Sequence, residues 1–125
     1  MDKTLTTLGS PSVVDPALFE SRRRSMEKLI DQLKKDEAQI SQGGGNAAIA
    51  RQHEKGRLTA RERIQHLVDP ESDFLEIGIY AAFEMYEEWG GAPAAGAVTG
   101  TGRICGRDFL IIANDATVKI GRAHV

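Results

Sequence analysis

The spacing of apolar residues changes once along this chain, near Phe74, from a helical period to a period of two. A segment with the first pattern buries a stripe along one side of a helix. A segment with the second buries one face of a strand, so neither can stand in for the other. Helices are therefore expected first and strands after them.

Before Phe74, Phe19, Met26, Leu33 and Ile40 recur every seven residues, with Leu29 and Ile30 beside them. This spacing predicts one amphipathic helix of about six or seven turns that needs a partner surface. Asp15-Pro16 opens it, as a cap followed by proline at the first helical position, and Gly43-Gly44-Gly45 closes it. Glu20 with Arg24 and Asp31 with Lys35 lie four apart on its polar side in the favourable orientation. A second helix is expected from Asn46, whose side chain can cap it, to about Glu54, with Gly56 as its stop. Thr59-Ala60-Arg61-Glu62 reads as a capping box opening a third helix, with Ile64, Leu67 and Val68 as its buried stripe and Asp69-Pro70 as its end.

After the switch, Phe74 to Gly78 predicts a short strand, with Phe74, Glu76 and Gly78 facing one way and Leu75 and Ile77 the other. Val98 to Ile104 and Arg107 to Ala113 flank Cys105-Gly106 and predict a hairpin with a tight turn. Gly96, Gly100 and Gly102 share one face of the first hairpin strand, so a packed helix or a ligand must approach the backbone there. The aromatic and acidic stretch Tyr80 to Trp89 is read as a cover over a ligand or interface, or as a surface loop tucked onto the sheet.

Several function classes are excluded or disfavoured. Sixteen Lys and Arg against 18 Asp and Glu leave a net charge of -2, which argues against a general binder of nucleic acid or anionic membrane. The longest apolar run, Phe109 to Ala113, is too short to cross a bilayer, and the first residues lack the apolar core of a secretion signal. Cys105 is the single cysteine, so no internal disulfide or cysteine zinc site can form, and a cytoplasmic setting is expected. His53, His66 and His124 have no ligand spacing with one another or with carboxylates, so no metal is expected. Gly100-Thr101-Gly102 begins like a dinucleotide fingerprint but continues into a strand and turn where a helix would be needed.

The strongest binding feature is the basic segment Arg51, Lys55, Arg57, Arg61 and Arg63. Gly56 allows a sharp reversal there, and Arg57, Arg61 and the free amides opening the third helix can address one anionic group such as a polyphosphate. The competing reading is a solvated helical face whose charges pair with Glu54 and Glu62. Asn114, Asp115 and Thr117 follow a strand and suit an Asx turn, fixing a turn near the site rather than reacting.

Taken in order, Gly43-Gly44-Gly45, RQHEKGRLTARERI from Arg51 to Ile64, Leu67-Val68-Asp69-Pro70, Phe74-Leu75-Glu76, VTGTGRI from Val98 to Ile104, Gly106-Arg107 and IIANDATVK from Ile111 to Lys119 resemble one family. It is the carboxyltransferase (beta) subunit of biotin-dependent acyl-CoA carboxylases, the group of methylcrotonyl-CoA, propionyl-CoA and geranyl-CoA carboxylases. The resemblance is to the N-terminal end of such subunits, and the NDATVK form is nearest the methylcrotonyl type.

The resemblance implies the α/β class: a truncated crotonase-like (ClpP/crotonase) fold of β-β-α units preceded by N-terminal helices. It divides the chain into a flexible N-terminus (1–14), a helical segment (15–69), the start of the crotonase-like N-terminal carboxyltransferase domain (70–119) and a tail (120–125). That tail, Ile120 to Val125, matches what a sequencing-library adapter encodes in frame and is expected to be non-native. The implied reaction moves a carboxyl group from carboxybiotin, carried on a partner protein, to an acyl-CoA. The implied partners are a biotin carboxylase and biotin carboxyl carrier subunit, together with further beta subunits in a homo-oligomer. By the same resemblance Lys55, Arg57 and Arg61 would hold the CoA phosphates, with Asn114, Asp115 and Thr117 as structural residues near the site. No residue here is expected to be catalytic, since the glycine-rich elements that supply oxyanion amides lie later in such subunits. The alternative reading is a non-catalytic CoA-binding or subunit-assembly module.

Overall fold

The computed structural model of the chain describes residues 15–119. The expected flexible N-terminus at 1–14, the tail at 120–125 and His124 lie outside the described residues. Three helices come first, α1 (Pro16–Ser41), α2 (Asn46–Glu54) and α3 (Ala60–Leu67). Three strands follow, β1 (Leu75–Ile77), β2 (Ala97–Ile104) and β3 (Arg107–Asn114), with short 3-10 turns at Glu87–Trp89 and Pro93–Gly96 between the first two. The change from helix to strand falls where the apolar period changes.

The chain separates into two compact units, one ending at Leu33 and the other starting at Lys34, so α1 contributes to both. In the first unit Asp15 caps the helix by accepting from the Ala17 amide at 2.9 Å. Glu20 there accepts from Arg23 at 2.7 Å and Arg24 at 3.0 Å. Pairs this exposed contribute little to stability. Leu18, Phe19, Met26, Leu29, Ile30 and Leu33 are 41–61 % exposed, so this part of the apolar stripe is uncovered.

In the second unit the sheet is antiparallel with order β1-β2-β3. Glu76 pairs with Gly100 and Gly100 with Ile111, which puts Val98, Gly100, Gly102 and Ile111 on the face that meets α3. Ala60, Ile64, Val98 and Ile111 are buried there, with Val68, Phe74, Ile104 and Ala113 packed around them. The opposite face carries Leu75, Ile77, Leu110 and Ile112, which are 52–67 % exposed.

The close approach expected at the β2 glycines comes from protein, not from a ligand. A side chain on Gly100 would overlap the Leu75 carbonyl oxygen and meet the Phe74 ring at 2.5 Å, and one on Gly102 would lie 2.8 Å from Val68. Phe74 therefore precedes β1 and packs over the sheet, which shortens the strand expected at 74–78. Gly96 stands just before β2, in a left-handed conformation with φ 67°.

Two local readings need correction. Asn46 does not cap α2; Gly45 occupies that position at φ 87°, a backbone conformation that suits glycine, with no side-chain cap. Asp69 does more than end α3: its carboxylate accepts from the Cys105 amide at 2.6 Å and the Gly106 amide at 2.8 Å. Its own amide donates to the Arg103 carbonyl at 2.8 Å. Cys105 and Gly106 both have positive φ, 50° and 76°, as a two-residue turn of the primed type requires.

Candidate functional site

The turn after β3 organises the polar corner of the second unit. Asp115 accepts from the Thr117 amide at 2.9 Å and from its hydroxyl at 2.6 Å, the Asx geometry expected of these residues. The same hydroxyl accepts from the Gly44 amide at 3.0 Å, so a relay runs from the end of α1 through Thr117 to the Asp115 carboxylate. Thr117 is buried, and this pairing satisfies its hydroxyl.

The triple glycine, read from sequence only as a helix stop, is what lets this turn dock. A side chain at Gly43 would lie 2.6 Å from both Asp115 Oδ2 and Thr117 Oγ1, and one at Gly44 would overlap the Thr117 carbonyl. Three consecutive glycines where one suffices to end a helix was the available signal.

Around this turn the basic residues separate. Arg51 and Lys55, on and just after α2, line a cleft of about 400 Å³ with Gly44, Thr117, Lys119 and Trp89. Arg57 and Arg63 line an adjoining cleft of about 460 Å³ with Asn114 and Thr117. Gln52, Ala116 and Thr117 border both clefts, so Lys55 and Arg57 flank one turn. Asn114 and Thr117 are thus brought to the basic corner, with Asp115 holding the turn from behind.

Arg61 goes elsewhere. Its Nη2 donates to Glu76 Oε1 on β1 at 2.8 Å and its Nη1 to Glu76 Oε2, a two-pronged ion pair that is largely buried. It borders a separate cleft with Ile64, Phe74 and Val98. The expectation that Arg61 joins Lys55 and Arg57 on one anion meets a physical obstacle, because its guanidinium is already neutralised against the sheet. Arg57 lies before α3 and is separated from Arg61 by the extended N-cap Thr59 (φ -69°, ψ 164°), so the two do not share a helical face.

The bland alternative for the basic segment also changes. Glu62, named as a partner for arginines, accepts from His53 at 3.0 Å and from the Thr59 amide at 2.7 Å. With the Thr59 hydroxyl accepting from the Glu62 amide at 3.3 Å, this is the expected capping box with a histidine added. The His53 hydrogen bond first, and the Thr59 amide second, hold the Glu62 carboxyl down at about 2. Among the described residues Arg51, Lys55, Arg57, Arg63 and Lys119 form no ion pair.

Trp89 also borders an apolar groove of about 730 Å³ with Met85, Tyr86, Ala92 and Lys119. Among the described residues no group of His, Cys, Asp and Glu could hold a metal ion, and no helix is long and apolar enough to cross a membrane.

The carboxyl transferase domain matches residues 51–125, which include the whole basic corner and the sheet. The chain belongs to the carboxyl transferase family. It is 44 % identical over 105 residues to the probable mitochondrial methylcrotonoyl-CoA carboxylase beta chain of Drosophila melanogaster, covering 84 % of this chain and 18 % of that protein. The transcarboxylase 12S hexamer, crystallised with methylmalonyl-coenzyme A and methylmalonic acid, superposes with a TM-score of 0.67 at 38 % identity, over 74 % of this chain and 18 % of that one. The geranyl-CoA carboxylase beta subunit of P. aeruginosa shares the fold at 23 % identity, with a TM-score of 0.70 over 97 % of this chain and 21 % of that one. The chain therefore spans about a fifth of the length of the relatives it matches. The fold shared with them is a mixed α/β arrangement of N-terminal helices and a small antiparallel sheet.

Proposed function

We propose that this chain is part of a carboxyltransferase (beta) subunit of a biotin-dependent acyl-CoA carboxylase, in which it supplies contacts to the nucleotide end of the acyl-CoA. The observation that carries the reading is the unpaired cationic corner of Lys55 and Arg57 around the 115–117 turn, in a chain of the carboxyl transferase family. CoA bears a diphosphate and a 3′-phosphate, and unpaired cations on a fixed backbone can bind these without first breaking internal pairs. Arg61 is instead an anchor, fixing α3 against β1 through Glu76.

In this reading the carboxyl group would pass from the ureido nitrogen of carboxybiotin to a carbon of the acyl thioester, and the proton lost from that carbon would end on the nitrogen. The enolate oxygen formed when that proton leaves needs preorganised amide donors. No residue of this chain is assigned to that step. The acyl-CoA is of the 3-methylcrotonyl type and the setting cytoplasmic. The partners are a biotin carboxylase, a biotin carboxyl carrier and further beta subunits. Residues 15–69 form the helical lead-in, and 70–119 begin a crotonase-like domain. A second reading, an assembly module docking through α1, is favoured by the uncovered stripe from Leu18 to Leu33.

The test is calorimetric titration of the chain with CoA and with pantetheine, which lacks the phosphates. CoA is expected to bind and pantetheine not, with Lys55→Ala and Arg57→Ala each weakening CoA about tenfold, or ~1.4 kcal/mol. Equal binding of CoA and pantetheine, or unchanged affinity in both variants, would refute the reading.

A further inference from the structure

Trp89 is the single tryptophan of the chain and is 72 % exposed, unusual for so large an apolar side chain. It does not hang from a loose loop. It closes a 3-10 turn in which its own amide donates to the Tyr86 carbonyl at 2.9 Å, the Gly90 amide to Glu87 at 3.0 Å and the Gly91 amide to Tyr86 at 2.9 Å. The turn is bracketed by left-handed residues, Tyr86 at φ 63° and Gly90 at φ 94°. A non-glycine residue adopts that conformation at a cost, which the three hydrogen bonds offset. The aromatic is therefore presented at a fixed place, on the wall of the cleft that holds Arg51, Lys55 and Lys119.

Charge is sorted around this wall. Gly90, Gly91 and Pro93 border both that cationic cleft and a second cleft whose charged groups, Asp36, Glu84 and Glu87, are acids. The same short loop thus has cations on one side and carboxylates on the other. An aromatic surface beside three cations matches a ligand that joins a flat base to phosphates. Base stacking on an aromatic ring and cation pairing with phosphate are the two interactions such a ligand requires.

We infer that Trp89 stacks on the adenine ring of CoA while Arg51, Lys55 and Lys119 take its phosphates. This inference rests on the proposed CoA reading and adds the residue that recognises the base. Trp89 is then a specificity residue for the nucleotide half of the thioester, and Arg51 and Lys119 are phosphate contacts additional to Lys55 and Arg57.

The emission of Trp89 reports on this directly, since no other tryptophan contributes. Titrating the chain with adenosine 3′,5′-bisphosphate, CoA and pantetheine is expected to quench emission with the first two and leave it unchanged with the third. Trp89→Ala should weaken CoA about tenfold by calorimetry and Trp89→Phe by much less, because phenylalanine keeps a stacking face. Circular dichroism of both variants should match the parent chain, since the replaced side chain is mostly in solvent. CoA binding with silent emission and unchanged affinity in Trp89→Ala would overturn this inference while leaving the CoA reading intact. Failure of CoA to bind at all would overturn both.

Discussion

Arg61 and Lys55 stand six positions apart in one basic string, yet the molecule uses them in opposite ways. Arg61 lies against the sheet in a two-pronged ion pair with Glu76, whereas Lys55 borders an open cleft and has no carboxylate partner among the described residues. The region around α3 is closed on itself: capping box, ion pair, Asp69 clasp and apolar core hold it together, with the buried Arg61 Nε left without a partner among the described residues. The corner around the 115–117 turn is fixed in its backbone but leaves its charges free. A rigid backbone that presents unneutralised side chains is what binding requires, because little ordering remains to be done on contact.

Substitutions can break this contrast at several levels. The largest effect is expected at the glycines where two segments meet. Gly100→Ala forces a methyl group into the Leu75 carbonyl and the Phe74 ring, and Gly44→Ala forces one into the Thr117 carbonyl. Each should lower unfolding free energy by at least ~3 kcal/mol in urea titrations, since backbone on both sides must move. Ile64→Ala comes next, at about 2–4 kcal/mol, from lost burial and the cavity left between α3 and the sheet.

Glu76→Gln should cost roughly 1–3 kcal/mol by leaving the Arg61 guanidinium without its counter-charge in a largely buried place. The same change should leave CoA affinity of the folded protein unaltered, which separates anchoring from binding. Thr59→Ala removes the α3 cap and should cost about 1 kcal/mol. Lys55→Ala should change stability by less than ~0.5 kcal/mol while weakening CoA, the mirror image of Glu76→Gln.

The smallest expected effect is on pH dependence. Glu62, with its pKa lowered from 4.5 to about 2, favours the folded state while ionised. That contribution is fully present above pH 4.5 and is lost as pH falls toward about 2. His53→Ala removes the first cause of the shift, so acid unfolding followed by circular dichroism should begin at higher pH than in the parent chain.

Much of the fold was legible because local signals agreed with the tertiary arrangement. The helix starts at Pro16 and Ala60, the switch to strands and the two-residue hairpin turn each follow from residues close in sequence. The Asx turn at Asp115 and Thr117 was legible for the same reason. What escaped depends on distant partners. The triple glycine signals a close approach at Gly43 and Gly44, but nothing near it identifies the turn more than seventy positions on as what packs there. Nothing beside Arg61 distinguishes it from Arg57 until β1 brings Glu76 alongside. Trp89 was visible as part of an aromatic stretch, but its neighbours Arg51, Lys55 and Lys119 come from two other segments.

The central claim is that the basic string is split between one anchoring arginine and a free, anion-binding corner. CoA titration of folded Lys55→Ala and Arg61→Met, compared side by side by calorimetry, tests it most directly. The account predicts about tenfold weaker binding for Lys55→Ala and unchanged affinity for Arg61→Met, although the latter unfolds more readily. Affinity lost in Arg61→Met and retained in Lys55→Ala would contradict it.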